Sequence, residues 1–217
     1  MSLETLWPLF ALELATPRLR LRVLRDDDLA PLADAAIAGI HDRDRTPFQT
    51  PWADAEPAAL RREFARFHWG RRARISPGSW GLSFAVHADG APVGIQDLDA
   101  DDFAALRTVH TGSWLTRSAQ GRGIGTEMRA AVLLFAFDVL GAEWAVSGAA
   151  SWNAASLGVS RRLGYRDNGV TRVHPRPGQV DDMIGLRLAA EEFARPAWPL
   201  RIDGAEAARH SLVGEPA

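Results

Sequence analysis

Residues 111–125 read Thr-Gly-Ser-Trp-Leu-Thr-Arg-Ser-Ala-Gln-Gly-Arg-Gly-Ile-Gly, and a long apolar stretch follows to Leu140. The pattern predicts a strand over 107–116, a glycine-rich loop, and a helix over 126–140 so apolar that it must be almost wholly buried. A strand, loop and helix start in this order suit a diphosphate. Loop glycines let main-chain N–H groups converge, and the helix start adds unpaired donors and the positive end of its dipole.

Two common phosphate loops fail on inspection. A Walker loop needs Lys then Ser or Thr after its last glycine; here Gly125 is followed by Thr126, and the chain has no Lys. A dinucleotide fingerprint needs a small residue three places after its second glycine, and that place holds Thr126. What survives is Gln120-x-x-Gly123-x-Gly125. Downstream, 143–148 reads as a short strand. Ser151-Trp152-Asn153-Ala154-Ala155-Ser156 and Leu163-Gly164-Tyr165 come next, with Asn153 a good N-cap and Gly164 a good terminator for a helix over 154–163.

The loop resembles the pyrophosphate loop of the GCN5-related N-acetyltransferases (GNAT). Asn153-x-x-Ser156 with Leu163-Gly164-Tyr165, and Gly112-Ser113-Trp114-Leu115, resemble the RimJ/RimL branch. The resemblance covers roughly 16–190 and is specific across 107–170. It implies an α/β (α+β) GNAT fold: a mixed, mostly antiparallel sheet of six to seven strands, about four flanking helices, and a splayed central strand pair that binds acyl-CoA. It implies transfer of acetyl from acetyl-CoA to a primary amine, on a protein N-terminus or a small molecule, by direct attack in a ternary complex. The Thr-Gly-Ser-Trp-Leu variant also resembles a subgroup for which succinyl-CoA has been proposed; Arg43, Arg45 or Arg74 would then meet the succinyl carboxylate. The competing class is a non-catalytic acyl-CoA-binding module.

Site residues carry over one by one. Gln120, Gly121, Arg122, Gly123, Ile124, Gly125 and Thr126 would hold the pyrophosphate. Trp114, Leu115 and Thr116 would pair with the pantetheine amides as an added strand. Asn153 would bond this arm, or serve only as a helix cap. Gly112 would permit a bulge that aims the Trp114 or Leu115 N–H at the thioester oxygen. The family's tyrosine position is Ser160 here, so Ser156 becomes the candidate donor to the CoA sulfur. His110, His174 and Asp182 are candidates for the base that takes the amine proton, with His110 placed first and a bound water as an alternative. Trp52, His68, Trp69, Trp80 and Trp152 are candidates to line the amine's path. No metal is implied.

Composition agrees. The 217 residues are 47% hydrophobic, with no Cys and a formal charge of −2. This allows one sizeable core, excludes disulfides and an acyl-cysteine, and gives no sign of a nucleic-acid or membrane partner. The arginines of 57–73 read as a solvated helix face. Residues 1–14 carry Glu4 and Glu13 and no basic leader, so a cytoplasmic enzyme is expected, forming a homodimer or higher homo-oligomer. Further elements are expected as a strand at 18–24, helices at 29–39 and 57–73, a hairpin at 79–88 and 92–98, and a strand at 181–189. The domain would span 1–192, with 193–217 an extension or tail, or an arm on a partner subunit.

Overall fold

Two-residue alternation builds the sheet. In β2 (Leu19–Val23), Leu19, Leu21 and Val23 point inward. β3 (Trp80–Ala88) and β4 (Ala91–Ala100) form the expected hairpin, turning at Asp89-Gly90 with φ of 51° and 79°. Two adjacent positive φ values are what a tight two-residue hairpin turn requires. β5 (Thr108–Leu115) and β6 (Trp144–Ala150) follow, then the long hairpin β7 (Arg166–Arg176) and β8 (Gln179–Ala189). Short strands β1 (Glu13–Ala15) and β9 (Arg201–Asp203) close the other side. The computed structural model describes residues 1–214 and joins these strands as β7-β8-β6-β5-β4-β3-β2-β1-β9. Only β5–β6 is parallel among these pairs.

Seven α-helices accompany the sheet: α1 (Leu3–Leu6), α2 (Asp26–Ala38), α3 (Pro57–Ala73), α4 (Phe103–Leu106), α5 (Ile124–Leu134), α6 (Ala154–Arg162) and α7 (Ala205–Val213). Pro57 opens α3 where a missing N–H costs nothing. On one face Leu29, Leu32, Leu60 and Phe64 of α2 and α3 pack on Ala85 and Ile95. On the other, Met128, Val132 and Phe135 pack on Leu82, Phe84 and Leu98. The apolar helix beginning at α5 is buried as expected, but its last turn, Phe135–Leu140, widens to π geometry before Gly141 ends it at φ 75°.

Three expectations are corrected. The strands number nine, because β7 is exposed at nearly every position and shows no period, and β1 and β9 are too short to show one. The segment after 192 is no tail. Phe193 packs on Phe137, Ile202 pairs with Leu14, and Ala208 and Leu212 of α7 are fully buried, so this segment completes the core. Residues 215–217 of that expected tail lie outside the described residues. Finally, β4 and β5 pair without interruption from Gly94–Leu115 to Asp99–His110, so no bulge exists at Gly112. Register breaks lie elsewhere, between Val86 and His87 in the β3–β4 pair and after Asp167 and Val173 in the β7–β8 pair.

His68 on α3 yields a test of the packing. It is 6% exposed, edge-on to Phe64 and Phe67, and its Nδ1 lacks a partner. Burial, with Arg71 and Arg72 nearby, pushes its pKa down to about 3. An unfolded imidazole titrates near 6.5, so below that pH the unfolded chain binds a proton that the native chain refuses. Stability is therefore present above that value and lost as pH falls toward about 3. His68→Phe is expected to remove about 2 kcal/mol of the stability lost between about pH 7 and about pH 5 in denaturant titrations. Equal losses in the two proteins would contradict this burial.

Candidate active site

The site begins where β5 and β6 part. They pair at Thr108–Trp144, Val109–Ala145 and His110–Val146, and then stop. β5 continues along β4 to Leu115, while β6 continues along β8 to Ala150. Hydroxyls hold the fork: Ser147 Oγ donates to Thr111 O at 2.9 Å, and Thr111 Oγ1 donates to Val146 O at 3.4 Å. Beyond them an open cleft of about 1310 Å³ runs between the strands.

The exposed edge of β5 is polar. Thr116 N donates to Val93 O at 2.8 Å, so by alternation the main chain of Trp114 also faces β4. The main chains of Ser113 and Leu115 then face the gap. Of the three residues expected to pair with an extended ligand, only Leu115 turns its main chain to the gap, and Ser113 does so beside it. The Trp114 side chain instead packs with Trp52 and Phe64 on the α3 face.

The loop after β5 is tied down at both ends. Gln120 Nε2 donates to Ile40 O at 2.8 Å and to Leu115 O at 2.9 Å. Gly121 and Gly123 take φ of 71° and 79°, where a side chain would be strained. α5 then starts with no side-chain cap, leaving its first N–H groups open to an anion. Buried Glu127 accepts from Thr16 Oγ1 at 2.5 Å and Arg18 Nε at 2.6 Å, and Arg18 Nη1 donates to Arg122 O at 3.0 Å. The loop is thus anchored to the start of β2.

The cleft is lined by His110, Trp114, Leu115, Gln120, Gly121, Gly123, Gly125, Thr126, Asn153 and Ser156. Ile124 is 3% exposed and belongs to the core. Arg122 is exposed and does not line the cleft, and Thr116 spends its amide on β4. His174 is exposed on β7, while its neighbours Thr171 and Val173 line the cleft, so alternation turns it away. Asp182 lies beyond the lining as well. Asn153 Oδ1 accepts from Ser156 N at 3.1 Å, which caps α6 and leaves its amide nitrogen for a ligand. Trp152 lines the cleft, under the Arg45 guanidinium. His68 and Trp80 are core residues, and Trp69 bonds Asp26 on the outer surface.

Sequence reasoning missed several lining residues, though it named Arg45 as a candidate partner for a succinyl carboxylate. Arg162 reaches Thr126 Oγ1 at 3.4 Å and brings a cation to the loop. Residues 40–49 form one wall. His41 is seated between Phe48 and Asp54, its Nε2 3.6 Å from Asp54 Oδ1. Arg45 Nη2 meets Asp181 Oδ1 at 2.6 Å, and Gln179 exchanges bonds with Thr46 at 2.9 and 3.2 Å. No local pattern marks this wall, because its partners lie some 130 residues away. Arg129 did leave a signal: a lone cation in the interior of the most apolar helix.

The chain matches the acetyltransferase (GNAT) domain family over residues 18–166. The protein therefore belongs to the GNAT family and is an N-acyltransferase. Solved structures share its fold. RimJ of Mycobacterium smegmatis, in complex with CoA-disulfide, is 21% identical and superposes with a TM-score of 0.68, covering 91% of each chain. A GCN5-related N-acetyltransferase from Brucella melitensis is 23% identical with a TM-score of 0.64, covering 83% of this chain and 79% of that one. RimL, a ribosomal L7/L12 alpha-N-protein acetyltransferase in complex with coenzyme A, is 16% identical with a TM-score of 0.63, covering 82% and 97%.

The wall offers a direct test. Asp181 has a side chain only 2% exposed, so removing its cation strands a buried carboxylate. Arg45→Ala is expected to speed amide hydrogen exchange across 41–48 by about tenfold, with the β3–β4 hairpin unaffected. Unchanged exchange over 41–48 would show that the contact does not hold the wall.

Proposed function

We propose that this acyltransferase uses acetyl-CoA to acetylate a primary amine, which attacks the thioester carbonyl directly while both substrates are bound. The observation that carries this reading is the cleft itself: two parted central strands above an uncapped helix start. The residues fit the donor along its length. N–H groups of 121–126 suit the pyrophosphate, with Arg162 adding charge. The main-chain groups of Ser113 and the free N–H of Leu115 suit the pantetheine amides as a partial added strand, the Leu115 carbonyl being held by Gln120. The N–H facing the gap at Leu115 is the candidate donor to the thioester oxygen, a contact typically worth about 2.7–4 kcal/mol in the transition state. When bound, the donor supplies an activated acyl group, and the chain's task is to orient it and manage charge.

The amine would enter on the α3 face, between the 40–49 wall and β5. His110 is exposed there, on the same face as Gly112 and Trp114, and stands opposite Asp99 in the β4–β5 register. It is the candidate to accept the amine's proton. Ser156, in the first turn of α6, lines the same cleft and is the candidate donor to the CoA sulfur. An α-amine of a protein is the first acceptor to try, since the fold neighbours include protein N-terminal acetyltransferases.

The test is CoA release from acetyl-CoA, with succinyl-CoA in parallel, against peptides with free N-termini and a panel of small amines. Amine-dependent release with acetyl-CoA is expected. His110→Ala is expected to lower kcat by about 10²–10⁴-fold while KM for acetyl-CoA holds. Binding of CoA with no turnover on any amine would favour a binding module. Preference for succinyl-CoA would reassign the donor.

A further inference from the structure

Arg129 lies in α5 among buried Met128, Ala130, Ala131 and Val132, and is itself 4% exposed. Its Nη1 donates to Ser160 Oγ at 2.8 Å and its Nη2 to Ser113 Oγ at 3.1 Å, while Nε is buried with no partner. A guanidinium has five N–H donors, and these bonds use two. Both partners are neutral. The titratable group acting on it is Tyr165, whose hydroxyl is 3.2 Å from Thr111 Oγ1 and which burial keeps protonated well above the usual range. Among the described residues no carboxylate forms an ion pair with it. Glu127, on the same helix, is committed to Thr16 and Arg18. On α6, Arg162 turns to Thr126. His110 lies on the opposite face of β5 from Ser113.

A buried cation without an anion is costly to a fold, and its retention calls for a compensating charge. Its position says where that charge would be. Arg129 lines the cleft at the splayed strands. Ser113 is the β5 residue whose main chain faces the gap. Ser160 lies one turn beyond Ser156 and donates its own hydroxyl to Ser156 O at 3.2 Å. The guanidinium thus ties the open edge of β5 to the first turns of α6, beneath the place where the reacting end of an acyl-CoA would lie.

We propose that Arg129 is the built-in counter-charge for the CoA sulfur as the thioester breaks, an inference that rests on the acyl-CoA reading of the cleft. The amine nitrogen forms the new C–N bond, the C–S bond breaks, and its electron pair leaves on sulfur. The amine's proton goes to His110. Arg129 keeps all its protons and acts as a fixed positive charge, so the product can depart as thiolate without a dedicated acid.

The test needs no acceptor. CoA and desulfo-CoA are titrated calorimetrically into the intact protein from about pH 6 to about pH 10. The ratio of their affinities is expected to climb with pH, approaching tenfold for each unit by which the bound thiol titrates below the free thiol. The CoA complex should show thiolate ultraviolet absorbance at a lower pH than free CoA. Arg129→Lys is expected to retain much of the effect and Arg129→Gln to abolish it, with circular dichroism confirming folding. A flat ratio in the unmodified protein overturns the proposal, whatever the variants do. Failure to bind either ligand overturns the acyl-CoA reading beneath it.

Discussion

The loss of pairing between β5 and β6 after His110 and Val146 is the constraint on which the site depends. Two parallel strands in mid-sheet would ordinarily continue side by side and satisfy each other's main chain. Here each keeps its other neighbour, β4 for one and β8 for the other, and they diverge. Ser147 and Thr111 bridge the fork with side-chain bonds where ladder bonds end. The price is that the main chain of Ser113 and the N–H of Leu115 face the gap without a ladder partner, which is where an extended amide-bearing ligand would pair. The glycine loop and uncapped α5 start lie at the wide end of the same opening.

Much of this was legible in the sequence because it is local. The φ of Gly121 and Gly123, the hairpin at Asp89-Gly90 and the Asn153 cap each depend on a few adjacent residues. The buried character of the helix after Gly125 follows from its composition. What the sequence hid is non-local. β7 gives no alternation because it faces solvent on both sides, and the pairing of β9 with β1 joins residues nearly 190 apart. Orientation was the subtler failure. Thr116 lies in the right motif, but pairing with Val93 turns its amide away from the gap, and Ser113 faces it instead. His110 and His174 look alike as candidates, and strand alternation puts only His110 in the cleft.

The buried cation reads differently once the fold is known. In the sequence, Arg129 interrupts an apolar run. In the structure it holds β5 and α6 through two serines, at the point where a departing sulfur would carry charge. On this reading the same helix would present N–H groups to phosphates at its start and a guanidinium to the reacting end about one and a half turns later. One rigid element would then set the spacing between binding and chemistry.

A crystal structure with CoA bound tests the central claim most directly. The expected result places the pyrophosphate against 121–126 and the pantetheine between the parted strands, with its amides on the main chain of Ser113 and Leu115. CoA bound outside the fork, or β5 and β6 closed into a continuous ladder beyond His110, would contradict it.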